Sequence, residues 1–178
     1  MRKINMITVV GMMITFLLHA IFGSFQLIGI GNNSMKIVAW ILVFFIAVHT
    51  IIGIVLTIST LYSIKKSGKG YFKENKLFWL RRISGFLIII LMIFHLVIFR
   101  QKESSPRLQE FNTFSLITQI LLIISILIHV ISNVKPTLIS FGITNIKRFS
   151  VDILITLSIF LLFFIIAFII YYFRWQGM

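Results

Sequence analysis

Apolar residues fall into five long blocks, roughly 5–29, 37–62, 83–99, 114–134 and 151–173, separated by short polar segments. Four blocks exceed the ~20 residues that a helix needs to cross a ~30 Å hydrocarbon core; the third is shorter but flanked by arginines that can snorkel. A backbone in lipid must satisfy its own hydrogen bonds, so each block is expected to be a helix. The pattern predicts an all-α, integral membrane bundle of five transmembrane helices forming a single membrane domain over residues 1–178. The first block follows Met1-Arg2-Lys3 and invites comparison with a signal peptide. It is long for one, contains a histidine and glycines, and lacks a clear small-residue cleavage site, so a retained helix is expected.

Composition agrees with this. Hydrophobic residues make up 59% of the chain and charged residues 12%, whereas soluble domains are nearer half apolar and a quarter charged. There is no cysteine, which excludes disulfides, thiolate ligation of metals or iron–sulfur clusters, and cysteine nucleophiles. A net charge of +13 would suit nucleic acid, but the charges lie almost wholly between apolar blocks, the membrane pattern. No nucleic acid partner is expected. Lys and Arg number 12 at the N-terminus and in the second-to-third and fourth-to-fifth connections, against 5 on the other side. The positive-inside rule then predicts a cytoplasmic N-terminus and an outer C-terminus, in a multi-pass protein of the cytoplasmic membrane. Trp40 and Trp175 are placed near the outer interface and Trp79 near the inner one, and Asp152 is expected to open the fifth helix. The connection "SIKKSGKGYFKENKLFWLRR" reads either as a topology determinant touching anionic lipid or as a docking surface for a cytoplasmic partner. Its "SGKGYF" lacks the strand–loop–helix context of a phosphate-binding loop, and no nucleophile–base pair of a hydrolase is visible.

The chemistry lies in four histidines. His19, His49, His95 and His129 each stand alone in one of the first four blocks, as in "FFIAVHTIIGIVL", and the fifth has none. An ionisable group at such depth is costly and is expected to face the bundle and find a partner. Four helix–helix hydrogen bonds would satisfy that expectation. Depth suggests another arrangement. At 1.5 Å per residue, His19 and His95 lie about 24 and 18 Å above the inner face, and His49 and His129 about 12 and 8 Å. Two sit high and two low, about 11 Å apart. Two stacked haems would need this, because an iron with two axial imidazoles takes one histidine from each of two helices at one level. The pairs predicted are His19 with His95 for an outer iron and His49 with His129 for an inner one.

Small residues share the histidine faces: Gly53 and Gly23 at plus four, Ser125 and Ser132 around His129, and Thr15 before His19. They would admit a flat macrocycle, and equally a close helix–helix approach. Haem propionates need donors near the surface. Arg81, Arg82 and Ser84, with Lys135, are candidates at the inner side, where interface anchoring is the plainer alternative.

With these residues in view, "HTIIGIVLTIS" resembles the second-helix pattern H-x-x-x-G-[IV] of the five-helix dihaem cytochrome b anchors of the succinate dehydrogenase/fumarate reductase (succinate:quinone oxidoreductase) family. "RRISGFLIIILMIFHLV" looks like that family's third helix, and "IHVISNVKPTLISFGITN" resembles its fourth-helix region, with Asn133 where a glycine is usual and Phe141-Gly142 in the later place. The resemblance implies axial ligands at His19, His49, His95 and His129, two haem b groups, menaquinone as substrate, and cytoplasmic flavoprotein and iron–sulfur subunits as partners. The dicarboxylate chemistry would belong to those partners. Gln26 and Lys36 are candidates for contact with quinone. Two alternatives stand beside this one: a stand-alone transmembrane cytochrome b, and a haem-free scaffold or small transporter with structural histidines.

Overall fold

A computed structural model describes residues 2–30, 36–67, 76–99 and 110–177. Five helices account for nearly all of them: α1 (Arg2–Ile28), α2 (Lys36–Ser67), α3 (Lys76–Ile98), α4 (Thr113–Ser140) and α5 (Ile146–Gln176). All five are long and apolar enough to cross a membrane. No strand occurs among the described residues.

The elements are those the apolar blocks predict, but several ends lie further out. Helix α3 starts at Lys76 rather than near residue 83, so Arg81 and Arg82 are helical residues and not a flanking anchor. Helix α4 runs through Pro136 to Ser140 instead of stopping near 134. Helix α5 begins at Ile146, which leaves Asp152 exposed in its second turn rather than at its opening.

The helix ends are closed by specific contacts. Asn112 caps α4, its Oδ1 accepting from the Ser115 amide at 2.9 Å and the Ser115 hydroxyl at 3.1 Å. At the end of α1, Gly29 takes a left-handed φ of 90°, the Ile30 amide returns to the Phe25 carbonyl at 2.8 Å and the Gly29 amide to Gln26 at 3.0 Å. Arg174, near the end of α5, donates to the Leu27 carbonyl at 2.6 Å. A cation there offsets the negative end of the α1 dipole and ties the ends of α1 and α5 together. Thr113 and Tyr172 bond at 3.1 Å, which brings the start of α4 to the same side.

Backbones pack closely in the order α2–α1–α5–α4–α3, with α1 also touching α4. The central apolar cluster of Ile123, Leu157, Leu161 and Phe164 lies between α4 and α5, with Phe16 and Ala20 of α1 against it. At the α5 end, Phe111 is fully buried and stacks on Phe168 at 6.2 Å, beside Phe99 and Tyr171. Helix α2 buries little of its apolar surface; Ile37, Trp40 and Phe44 all face outward, as side chains in contact with lipid would. Its packing onto α1 uses Gly11, which lies under the Phe45 ring so closely that a Cβ would come within 2.5 Å of it.

The Gly29 junction can be tested directly. Gly29→Ala would place a side chain in a left-handed conformation, at a cost of about 1–2 kcal/mol, and its Cβ would crowd the Arg174 guanidinium at 2.9 Å. Thermal unfolding in detergent should show at least that loss; unchanged stability would mean that the α1–α5 junction contributes little.

Candidate functional site

The structure brings the four histidines together in two pairs. The His19 and His95 ring centroids are 6.1 Å apart with planes at 79°, and those of His49 and His129 are 6.3 Å apart at 87°. Members of each pair come from α1 and α3, and from α2 and α4. Neither combination is among the helix pairs whose backbones pack closely.

The two levels can be measured along single helices. Helix α4 reaches the first pair through Gln119 and the second through His129, ten residues on. Helix α3 reaches the first through His95 and the second through Ser84, eleven residues before it. At 1.5 Å per residue these give about 15 and about 16.5 Å between levels. Both exceed the ~11 Å expected from the sequence, because the helices extend beyond their apolar blocks and the guessed membrane edges shift with them.

Hydrogen bonds orient one imidazole in each pair. His95 Nδ1 meets the Gln119 Oε1 at 2.7 Å. An amide oxygen only accepts, so Nδ1 carries the hydrogen and Nε2 keeps its lone pair. His129 Nδ1 lies 3.1 Å from the Ser84 hydroxyl. That hydroxyl already donates its single hydrogen to the Leu80 carbonyl at 2.7 Å, so it accepts from His129 and leaves Nε2 again as the free base. Ligating histidines are commonly held this way, with the second nitrogen donating to a fixed acceptor. Gly85 completes the seat of His129: a Cβ there would come within 3.2 Å of the ring.

Sequence reasoning missed Gln119 and Gly85. Gln119 is fully buried, and its signal was a carboxamide inside the apolar run "LITQILL", costly there without a partner. Gly85 was legible only as part of the stretch "RRISGFLIIILMIFHLV", not as a seat for a ring.

The donors expected to meet propionates are partly spent on protein. Ser84, expected to face an anionic substituent, is instead used on His129. Arg81 Nε donates to the Ser132 carbonyl at 2.8 Å. Arg82 Nη1 donates to the Gly53 carbonyl at 3.2 Å, and its guanidinium lies 5.1 Å from the Phe78 ring centre. Lys135 is exposed, as are Gln26 and Lys36 near the α1–α2 connection.

Two imidazoles that share one metal through bonds of about 2 Å, with roughly 1.1 Å more from each nitrogen to its ring centre, have centroids about 6 Å apart. Both pairs meet that spacing. An edge-to-face contact between bare rings would also give it; His95 and His129, each holding Nδ1 against an acceptor on another helix, leave Nε2 as the nitrogen available for ligation. Among the described residues no third His, Cys, Asp or Glu joins either pair, so the protein offers two donors and a bound metal must bring its other ligands with it. At the His49–His129 level, His49 Nδ1 and Arg82 Nε are buried without hydrogen-bond partners, and the arginine cation would suit an anionic group. Gly23, one turn beyond His19, has no atom within 4 Å of where a Cβ would stand. The residues present therefore fit a bis-histidine haem at each level.

No known protein family, curated protein or solved structure matches the chain.

Gln119→Leu keeps the approximate volume and removes the acceptor for a buried N–H, which should cost about 1–3 kcal/mol of stability. Chemical denaturation of the purified protein measures it; a neutral result would show that His95 is not held by Gln119.

Proposed function

We propose that this chain is a dihaem cytochrome b membrane anchor of the succinate:quinone oxidoreductase type. The single observation that carries the reading is the pairing itself: two imidazole pairs at two depths, each pair spaced for one shared iron and drawn from helices that do not pack on each other. His19 and His95 would hold one haem, and His49 and His129 the other. Haem bound there supplies reversible one-electron redox chemistry.

The chain's own part is positioning and dielectric control. Gln119 and Ser84 fix the tautomers that present Nε2. The Phe99, Phe111, Phe168 and Tyr171 cluster packs around the end of α3 next to His95, with Phe99 5.0 Å from the His95 ring, and keeps that level apolar. Arg82 stands within electrostatic reach of both His49 and His129 and is the candidate partner for a propionate at that level.

In the cytoplasmic membrane, with the N-terminus inside as the charge distribution favours, the His49–His129 level lies nearer the cytoplasm. Electrons would pass between a cytoplasmic flavoprotein and iron–sulfur pair and menaquinone through the two levels in series. The same site would also serve a stand-alone transmembrane cytochrome b. Co-purification with flavin- and iron–sulfur-containing subunits separates these readings.

A reduced-minus-oxidised spectrum of the purified protein, with haem counted per chain, tests the proposal. About two low-spin b haems are expected. His19→Ala or His95→Ala should each remove one haem and spare the second, and His49→Ala or His129→Ala the reverse. Colourless protein, with histidine substitutions changing stability alone, would leave a haem-free scaffold or transporter.

A further inference from the structure

Pro136 lies inside α4. Proline has no N–H, so the carbonyl four residues earlier loses its helical donor. That carbonyl belongs to Ser132, and it is the one that Arg81 Nε reaches from α3 at 2.8 Å. In hydrocarbon no water would satisfy it instead.

Ser132 lies one turn past His129, and the intervening helix is bound up with the histidine. The Ser132 hydroxyl and the Asn133 amide both donate to the His129 carbonyl, at 2.9 and 2.7 Å, side-chain bonds of the kind that bend a helix. Arg82, rotated about 100° from Arg81 around α3, reaches the other way to Gly53, one turn past His49. Adjacent arginines thus hold the equivalent turns of α2 and α4, the two helices that carry the inner pair and do not pack closely on each other.

We infer that Arg81 is a positioning residue for the His49–His129 site: its guanidinium replaces the amide that Pro136 lacks and so sets where α4 presents His129. Arg81 would hold this position whatever occupies the site, and its effect on haem rests on the function proposed above. An arginine suits the task because Nε–H sits in a rigid planar fork, whereas a lysine ammonium is a flexible point charge.

A double-mutant cycle on the intact protein tests it. Pro136→Ala restores the N–H and with it the helical partner of Ser132. In the presence of Pro136, Arg81→Gln should weaken haem retention at the His49–His129 level about tenfold or more and shift the midpoint potential of that haem, while the His19–His95 haem keeps its spectrum and potential. With Pro136→Ala in place, the same substitution should have little effect on either. Equal damage in both backgrounds, or damage to both haems alike, overturns the inference. Should R81Q alone fail to fold, recovery of a folded R81Q/P136A protein supports it, and failure of both overturns it. If the protein binds no haem in any form, the functional reading fails by itself. The cycle is then read in the unfolding midpoint, where non-additive effects of the two substitutions support the coupling and additive effects overturn it.

Discussion

Hydrocarbon gives a polar group no water to turn to, and this constraint shapes each of the contacts around the histidines. The carbonyl freed by Pro136 is met by Arg81, the Nδ1 hydrogen of His129 by Ser84, and that of His95 by Gln119. Each bond joins two helices. The groups that would be most costly to leave unpaired are therefore also those that fix the relative positions of α3 and α4, and through them the histidines.

The two levels are built differently. The His19–His95 level is enclosed by apolar rings and by one buried carboxamide. The His49–His129 level has two arginines, a serine and a glycine from two turns of α3. Positive charge close to one level and not the other would favour the reduced or anionic state of whatever binds there.

Helix α3 acts as the spacer. Close backbone packing follows the order α2–α1–α5–α4–α3, which leaves α2 and α4 without a shared packed surface. Arg82 reaches α2, on which α3 does not pack closely, so on that side a side chain of arginine length takes the place of direct contact. The helix also spans both levels, with Ser84 and Gly85 at one and His95 at the other.

Much of this was legible in the residues. Apolar block length predicts five helices because a bilayer has a fixed thickness, and counting residues from block ends is enough to sort four histidines into a high and a low pair. Helix ends were not legible to better than a few residues: the apolar block ends near 134, yet the helix runs on through Pro136 to Ser140, where Arg81, distant in sequence, supplies the missing donor. Nor could the sequence tell that Ser84 would face an imidazole, or that Gln119 had a partner. The sequence by itself determined the number of spans and the sorting of the histidines into two levels, since both depend on distance along one helix. Which rings meet, which nitrogen holds the hydrogen and which carbonyl each arginine reaches were decided only by the tertiary structure, because they depend on how neighbouring helices are rotated and spaced.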